Sequence, residues 1–482
     1  MFGILRDARH GFRLLRKAPG FSALAVLVLS LGIGANTAIF SLVNAFLLRP
    51  LSGTDAGVLY GLFSRDLNKP DGWRAFSWPN YKDIRDGNDV FASLLAHNLT
   101  MIGVREGDTT RRAMAGLVSA NYFQALGVRI ASGRPFLAAE EEAGSDVPVA
   151  IVSDGYARRR GLRLGESVSV NGRALTVVGI APAGFTGTTA LLSPEVWLPL
   201  GLYDTTMMDM ERAAGHLSDR SHHTLMLVGR LRPGVTPQAA EERLATLSTG
   251  LQQAYPGENK DQVLELSPVA RMAISTHPTD DSVLRAPAVL LLAMAGVVLL
   301  IACLNLANML LARGEARRKE IAIRLAIGGG RARVLRQLLT EALLLSLLGG
   351  VMGLLLSRWG TAALMATITP FLPIEILFDG RPDVRVLGAT LAFCVTSTLF
   401  FALGPALRLT GRDPLEDLKE HAGEARGAAS RRFLSPRNLL VTAQVALSLV
   451  LVTAAGLFIQ GARRAAESDP GFPLDGGLVL EL

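Results

Sequence analysis

Five long apolar segments are spaced unevenly along the chain. Four of them contain no Asp, Glu, Lys or Arg, and the third contains only Glu341. The hydrocarbon core of a bilayer is about 30 Å thick, and about 20 mostly apolar residues cross it as a helix. Each segment therefore predicts a membrane-spanning helix, and the chain is predicted to be an integral membrane protein. In order, the segments are Phe21–Leu48, Ala286–Ala312, Gln337–Ser357, Val386–Leu407 and Asn438–Ala462.

Basic residues are concentrated in three of the stretches that lie outside these segments. They occur in Met1–Gly20, between the second and third segments, and between the fourth and fifth segments. Short stretches rich in Lys and Arg remain on the cytoplasmic side of a membrane. We therefore expect the N-terminus in the cytoplasm, and Arg49–Arg285 and Arg358–Arg385 on the opposite side. The net charge of +7 is explained largely by this arrangement, so a nucleic acid is not expected as a partner.

The stretch Arg49–Arg285 is long enough to fold as a domain. Its alternating or β-branched sequences predict strands, and its capped sequences predict helices. Asn171-Gly172 lies between two predicted strands, and both residues tolerate the positive φ of a tight hairpin turn. An α+β domain is therefore predicted between the first two membrane helices. The predicted strands are Val147–Ser153, Ser167–Val170, Leu175–Ile180 and Leu225–Leu231, and the predicted helices are Trp78–Gly87, Ser119–Leu126 and Thr236–Tyr255.

Candidate metal ligands in this domain are few. His216, His222 and His223 lie near Asp219, but their spacing matches no common zinc pattern. Polar histidines at the surface are the simpler interpretation. The run Glu140–Glu142 predicts a solvated turn.

Candidate catalytic residues are also few. Ser153 and Ser193 lack the Gly-x-Ser-x-Gly setting of a nucleophile elbow. The dipeptide Gly-Lys is absent from the chain, so the phosphate-binding loop of nucleoside triphosphatases is absent too. We predict a non-catalytic membrane subunit with no cofactor of its own, and any ATP hydrolysis is expected from a separate chain.

Small and amide side chains recur inside the first three apolar segments. Small residues allow membrane helices to approach closely, and asparagine amides form hydrogen bonds between helices. We favour a packing role over a place on a transport path for both groups. The small residues are Gly32, Gly34, Gly349 and Gly353, and the asparagines are Asn36, Asn44, Asn305 and Asn308.

Residues Arg317–Gly330, between the second and third segments, combine basic charge with a helical apolar pattern that ends in three glycines. One interpretation is a basic loop that only fixes orientation. The other is a short amphipathic helix against which a partner pushes, and the lack of a nucleotide motif in the chain favours it. The residues that would contact the partner are Arg317, Arg318, Lys319, Glu320, Ile321, Arg324, Leu325 and Gly328.

Several of these stretches resemble the MacB/FtsX-like ABC transporter permeases, most closely their duplicated acidobacterial branch. Gly32–Phe40, after the basic start of the chain, resembles the first membrane helix of that family. Ser119–Val128 and Gly165–Gly187 resemble its MacB-type periplasmic core domain. Arg317–Gly330 and Gln337–Gly350 resemble its FtsX-type permease segment.

The resemblance implies a membrane α-helical fold with a four-helix permease unit, a fifth helix and a large α+β extracytoplasmic domain. It implies a bacterial inner-membrane location, a separate ABC ATPase subunit bound at Arg317–Arg324, and pairing with a second permease unit. A periplasmic adaptor is a further possible partner. Met1–Lys17 would lie on membrane lipids, with Phe12 and Leu15 among the residues turned towards them.

The function that the resemblance implies is transmission of ATP-driven motion to the periplasmic domain for export or extraction. One alternative is a non-transport regulator of an extracytoplasmic partner, and another is a membrane-bound enzyme. The enzyme alternative requires a convergent set of catalytic groups, which the residues do not offer.

The fifth segment departs from a single unit. Pro436–Ala462 resembles the first helix of a second unit, so we expect that the second unit is supplied elsewhere or that this sequence is a fragment. The predicted order is a cytoplasmic helix (1–20), the first membrane helix (21–48), the periplasmic core domain (49–285), the second membrane helix (286–312), the coupling loop (313–336), the third membrane helix (337–357), an extracytoplasmic loop (358–385), the fourth membrane helix (386–407), a cytoplasmic linker (408–437), the fifth membrane helix (438–462) and the start of a second outer domain (463–482).

Overall fold

The chain divides into two compact units. We call residues 1–41, 288–361 and 381–482 the membrane unit, and residues 42–287 and 362–380 the sheet domain. The computed structural model describes residues 9, 11–13, 15–48, 59–69, 71–189, 193–207, 215–270, 275–316, 330–368, 382–411 and 436–466.

Helices occur in both units. The membrane unit is built from the long ones, and the sheet domain contains the short ones. In chain order they are α1 (Pro19–Val43), α2 (Trp78–Gly87), α3 (Tyr122–Ala125), α4 (Ala138–Glu141), α5 (Asp154–Arg160), α6 (Tyr203–Thr206), α7 (Pro237–Ala254), α8 (Pro256–Asn259), α9 (Ser282–Ala316), α10 (Arg331–Ile368), α11 (Val384–Gly411) and α12 (Pro436–Ala466).

Five of the described helices, namely α1, α9, α10, α11 and α12, are long and apolar enough to cross a membrane. They coincide with the five apolar segments, so the predicted membrane fold is confirmed. Helix α10 continues to Ile368, although the apolar segment ends at Ser357. Residues 358–368 were expected in a loop, but they contain Ala, Leu and Met and no Pro, and such residues continue a helix after the apolar run has ended.

The sheet domain contains one mixed sheet. Its main path has the order β11-β1-β10-β3-β4-β9-β6-β8-β5, with β2 paired to β1, and β7 paired to β3 and β8. Most neighbours are antiparallel, whereas β4–β9 and β6–β8 are parallel. The strands are β1 (Leu59–Asp66), β2 (Trp73–Arg74), β3 (Phe91–Glu106), β4 (Thr109–Val118), β5 (Ser132–Gly133), β6 (Val149–Val152), β7 (Ser167–Val170), β8 (Arg173–Ile180), β9 (Val196–Pro199), β10 (Met226–Leu231) and β11 (Gln262–Pro268).

Local sequence signals identify several of these elements correctly. Strand β7 and helix α2 have the predicted bounds. Asn171 and Gly172, with φ of 47° and 80°, form the turn between β7 and β8. The Thr236 side chain accepts a hydrogen bond from the backbone N–H of Ala239, so it caps α7 as predicted. The helix predicted over Ser119–Leu126 is shorter, and forms only α3.

The longest ladder, β3–β4, was not among the predicted strands. Residues on both faces of β3 are buried, including Leu94, Leu95 and Ala96 in succession. A strand that is buried on both faces shows no alternation of apolar and polar residues. Two apolar clusters cover the faces of the sheet: one contains Leu94, and the other contains Leu95.

Candidate functional site

Glycines of helices α1 and α10 meet at their backbones. A Cβ atom on Gly34 would lie 3.0 Å from the carbonyl oxygen of Gly353, and a Cβ on Gly353 would lie 2.9 Å from the backbone nitrogen of Gly34. One turn away along α10, a Cβ on Gly349 would lie 2.6 Å from the Cβ of Leu29. We call Gly34, Gly349 and Gly353 the glycine seam. No larger residue fits there without moving a helix.

Helix α9 packs on α1 through Gly32 and Asn36. A Cβ on Gly32 would lie 3.0 Å from the Cβ of Ala302. The Asn36 side chain is buried, and its Nδ2 donates to the carbonyl oxygen of Ala295 at 2.7 Å and to that of Gly32 at 2.9 Å. The first bond joins two helices, and the second lies within α1.

Helix α11 completes this packing with short polar contacts. The hydroxyl oxygens of Thr37 and Thr390 lie 3.2 Å apart and join α1 to α11. The Ser346 hydroxyl donates to the carbonyl oxygen of Cys394 at 2.8 Å and joins α10 to α11. Four helices therefore share one interior, in which backbones lie close at these contacts and larger side chains such as Leu29, Ile33 and Phe401 are fully buried.

The other predicted asparagines lie at different depths. Asn44 is buried at the start of the single π-helical turn Asn44–Leu48 that follows α1. Asn305 is partly buried on α9. Three residues further along α9, the Oδ1 of Asn308 is buried and has no hydrogen-bond partner within the described part of the chain.

The eight predicted coupling residues, which lie between Arg317 and Gly328, are outside the described residues. Their flanks are described: α9 ends at Ala316, and α10 begins at Arg331. The Arg313 guanidinium, in the last turn of α9, lies 4.3 Å from the centroid of the Phe21 ring, which is near the start of α1.

The N-terminal stretch partly contradicts its predicted orientation. Phe12 is exposed, but Leu15, which was expected to face lipid, is buried in the apolar core of the membrane unit. A Cβ on Gly11 would lie 2.9 Å from the Cδ1 of Leu344, so this stretch packs on α10. Packing against a helix face buries Leu15 in protein, and the amphipathic pattern alone does not distinguish this from burial in lipid.

The three histidines that lie near Asp219 in the sequence do not converge on one site. Nε2 of His222 lies 2.7 Å from the Tyr203 hydroxyl, and Nδ1 of the exposed His216 lies 3.5 Å from an Asp204 carboxylate oxygen. Burial and the positive charge of Arg74 lower the pKa of His223 to about 4. Among the described residues, no group of three or more His, Cys, Asp and Glu side chains is arranged to hold a metal ion.

The prediction of a solvated turn at Glu140–Glu142 is wrong for its first two residues. Glu140 pairs with Arg134 at 2.6 Å, and Glu141 pairs with Arg85 at 2.7 Å. Both glutamates are 4% exposed, whereas Glu142 lies at the surface. Arg134, six residues before Glu140, and Arg85, 56 residues before Glu141, supply the compensating charge, so a run of acidic residues does not by itself identify a solvated turn.

A cleft in the sheet domain contains a buried histidine that the sequence did not single out. The centres of water-sized groups can occupy about 30 Å³ of it, and its empty space is about 460 Å³ when open solvent at the mouth is counted. His97, on β3, lines it and is 1% exposed. Neither ring nitrogen of His97 has a hydrogen-bond partner in the part of the chain that the structure describes.

Burial lowers the pKa of His97 to about 4, so the ring is neutral at neutral pH. The available sequence signal was a single histidine that follows the apolar run Leu94–Ala96. Such a residue is usually a satisfied core histidine, and only the fold shows that this one has no partner.

Comparison with known proteins identifies both units. The family model of the MacB-like periplasmic core domain matches residues 22–247, and that of the FtsX-like permease C-terminal domain matches residues 292–414. The periplasmic region of MacB from Actinobacillus actinomycetemcomitans matches 43% of this chain and 88% of its own length, with 12% identity and a TM-score of 0.32.

Curated relatives include two macrolide export ATP-binding/permease proteins MacB. That of Chromobacterium violaceum is 28% identical over 302 residues, which are 60% of this chain and 42% of the relative. That of Salmonella typhi is 29% identical over 327 residues, which are 65% of this chain and 44% of the relative. The chain thus spans less than half the length of these relatives. The two domain matches follow each other in this order along a chain with five candidate membrane helices. The chain therefore belongs to the MacB/FtsX-like family of ABC transporter permeases.

Proposed function

We propose that this chain is the permease subunit of an ABC transporter that transmits motion from a separate cytoplasmic ATPase to the sheet domain. The observation that carries the proposal is the length of α9 and α10, the two helices that flank the predicted coupling residues. They contain 35 and 38 residues, and α9 has one internal proline, Pro287, in its second turn. At 1.5 Å per residue they are about 52 Å and 57 Å long, well beyond the ~30 Å of a hydrocarbon core.

Long continuous helices transmit displacement along their axes. An α-helix has its backbone hydrogen bonds within itself, so a push at one end moves the other end as well. The glycine seam adds to this, because helices in backbone contact cannot shift independently without clashes. A push on the segment that joins α9 to α10 would therefore move the four-helix core as one body.

The ATPase would bind at Arg317, Arg318, Lys319, Glu320, Ile321, Arg324, Leu325 and Gly328. These residues would lie in the cytoplasm together with the N-terminus, as the distribution of basic residues indicates. Since a phosphate-binding motif is absent from the chain, the energy would come from the partner. Electrostatic attraction between this basic segment and an acidic groove on the ATPase would orient the two proteins and increase their association rate.

A second permease unit would complete the transporter. No residue in the apolar stretch of α12, Asn438–Gly461, is fully buried, whereas 44% of the corresponding stretch of α1 is buried. Helices α1, α9, α10 and α11 thus supply the interior of one unit, and α12 is available for another. The relatives named above are macrolide exporters, so export or extraction of a cargo outside the membrane is the role that we propose.

Charge reversal tests the coupling segment. The double variant Arg317→Glu/Arg324→Glu, co-expressed with a candidate Walker-motif ATPase from the same genome, should lose co-purification with that ATPase and any stimulation of its activity in nanodiscs. The matched control, Arg431→Glu/Arg432→Glu, makes the same charge change in the predicted cytoplasmic linker and should retain both. Unchanged binding and stimulation in the first variant would disprove the assignment of the coupling segment.

Transmission needs a second measurement. Cys303 and Cys394 are the only cysteines in the chain, so replacing both by alanine gives a background for spin labels. Labels at two exposed sheet-domain positions, such as Leu67 and Leu137, should report on ATP-dependent movement when each is paired with a label at Trp359. Distances that stay the same with ATP and with trapped nucleotide would contradict a mechanical role, even if the ATPase binds.

A further inference from the structure

We propose that the exposed side of the N-terminal stretch is a binding site for the headgroups of anionic phospholipids. The inference rests on the membrane location of the chain and does not depend on the proposed coupling to an ATPase. It goes beyond a stretch that merely lies on lipid, because it assigns the charge of the lipid and the side chains that select it. These side chains, which we call the basic face, are Arg9, Phe12, Arg13, Arg16 and Lys17.

The N-terminal stretch has two sides of opposite character. Its described residues, at positions 9, 11–13 and 15–17, are helical. At about 100° per residue, the basic face covers an arc of about 140°, and Gly11 and Leu15 lie on the opposite side of the helix. Every member of the basic face is exposed, whereas Gly11 and Leu15 are buried. One side is therefore occupied by protein, and the other side is open to a ligand.

Contacts with two membrane helices hold the basic face in place. A Cβ on Gly11 would lie 2.9 Å from the Cδ1 of Leu344, so the buried side packs on α10. The Ser22 hydroxyl of α1 lies 3.0 Å from the carbonyl oxygen of Leu15 and 3.1 Å from that of Ala18. A surface that is already positioned by the fold loses little freedom when a ligand binds to it.

The basic face lies close to the point at which the chain enters the membrane. Lys17 precedes α1 by two residues, and Leu24 and Leu27 of α1 are about half exposed, as expected for side chains that face lipid. The polar layer on each side of the hydrocarbon core is about 5–8 Å thick. Cations that come directly before a membrane helix therefore lie at the level of the lipid phosphates.

The charge of this region favours an anionic ligand. Within the part of the chain that the structure describes, none of the four cations of the basic face has an ion-pair partner. The three stretches predicted on this side of the membrane, Met1–Gly20, Arg313–Arg336 and Arg408–Arg437, together contain 20 basic and eight acidic residues. The acidic residues are too few to neutralise this side, wherever they lie.

Phe12 favours a lipid over an acidic protein surface. Its side chain is 54% exposed among the cations. A helix with basic residues and an exposed aromatic ring is typical of segments that lie in the membrane interface, where the ring enters the boundary between headgroups and acyl chains. A purely ionic contact with a protein would leave this ring without a favourable environment.

Lipid-specific quenching tests the site in the full chain. A bimane label at Gly20→Cys, in the Cys303→Ala/Cys394→Ala background, reports on the lipids beside the basic face, and a Cβ at Gly20 has nothing within 4 Å. In nanodiscs, brominated phosphatidylglycerol should quench the label more strongly than brominated phosphatidylcholine at the same low mole fraction. The expected preference is about fivefold, the value of one cation beside an anionic lipid.

Two double variants separate the basic face from the general charge of this side. Arg13→Gln/Arg16→Gln should reduce the preference for the anionic lipid to about twofold or less. Arg331→Gln/Arg333→Gln is the matched control, because it removes the same charge from exposed arginines at the start of α10, and it should keep the preference. In about 1 M NaCl, where the screening length is about 3 Å, the unaltered chain should also lose most of its preference.

Several results would overturn the proposal. They are equal quenching by the two lipids in the unaltered chain, a preference that persists in Arg13→Gln/Arg16→Gln, and a preference that does not change with salt. If neither lipid quenches the label, the basic face does not lie on the membrane and the proposal is wrong, and protection of the label by a candidate ATPase would then indicate an acidic protein surface as the partner. The salt comparison uses the unaltered residues of the basic face, so it remains decisive even if a variant fails to fold. None of these results depends on whether an ATPase binds at Arg317–Arg324, so the two proposals fail separately.

Discussion

The two units of this protein both bury large side chains, but they differ in how closely their backbones approach one another. In the sheet domain the largest side chains are the most deeply buried, and Trp197, Tyr81 and Tyr122 are 0–2% exposed. In the membrane unit, where Phe401 and Leu29 are also fully buried, the glycine backbones of two helices meet, Gly34 against Gly353. In water, burial of a large apolar area stabilises the fold. Lipid is itself apolar, so close approach of helices and hydrogen bonds between them stabilise a membrane protein instead. The packing of each unit thus reflects the solvent in which that unit folds.

Removal of a large buried ring should have the largest effect. Trp197 lies 5.3 Å from Phe185 and 5.7 Å from Phe123, measured between ring centroids. Trp197→Ala should lower the free energy of unfolding of the sheet domain by about 3–5 kcal/mol, because it removes the ring and leaves a cavity. Pulse proteolysis of the full chain in urea measures this. The partly exposed Trp73 is the control, and equal losses in Trp73→Ala would contradict the comparison.

Protonation of the buried His97 should have the next largest effect. Burial lowers its pKa to about 4, whereas the unfolded chain has the ordinary value of about 6.5. Between these pH values the unfolded state binds more protons than the folded state. The contribution of His97 to the free energy of unfolding is therefore fully present above about pH 6.5 and is lost as the pH decreases to about 4. The expected loss is about 3 kcal/mol at its full extent.

The pH series also needs a variant and a control. The same urea proteolysis, repeated from pH 7.5 to pH 4, should show a weaker pH dependence in His97→Leu. His216→Gln removes an exposed histidine of the same domain and should keep the steep dependence. A slope that is the same in both variants would mean that other groups control acid unfolding.

Overpacking tests the membrane unit. Gly353→Leu should lower its stability by about 1–3 kcal/mol, because a side chain there meets the backbone of α1. Gly360→Leu is a matched control on the same helix, since a Cβ at Gly360 has nothing within 4 Å. Unfolding in SDS, followed by circular dichroism, compares them. Similar results for both variants would contradict the close approach of α1 and α10.

The smallest effect is expected for the hydrogen bond between α1 and α9. Asn36→Leu removes the 2.7 Å bond to Ala295 and should lower stability by about 0.6–2 kcal/mol in the same SDS measurement. Ser41→Ala removes a bond that lies within α1 only, to the carbonyl oxygen of Thr37, and should change stability less. A larger loss for Ser41→Ala would show that the bond between the helices contributes little.

Much of the fold was predictable because its signals are local. The membrane helices follow from apolar runs, and the β7–β8 turn follows from Asn171-Gly172. The β3–β4 ladder was not predictable in this way, since burial of both faces removes the alternation. Glu140 and Glu141 appear solvated in sequence because their partners, Arg134 and Arg85, are brought close only by the fold.

The same division applies to the sites. The spacing of Gly349 and Gly353 indicated close helix packing, but not that α1 would be the partner. The sequence around His97 did not distinguish it from an ordinary core histidine, because its distinguishing property is the lack of a hydrogen-bond partner in three dimensions. The coupling residues, by contrast, are a prediction from sequence and resemblance alone.

The glycine seam has a consequence for genetic suppression. A substitution that enlarges a side chain in a core is often relieved by a smaller residue opposite. Opposite Gly34 there is only the backbone of Gly353, which has no side chain to shorten. Suppressors of a Gly34 mutation should therefore arise at positions that let α1 or α10 shift as a whole, and a screen should recover them away from the point of contact.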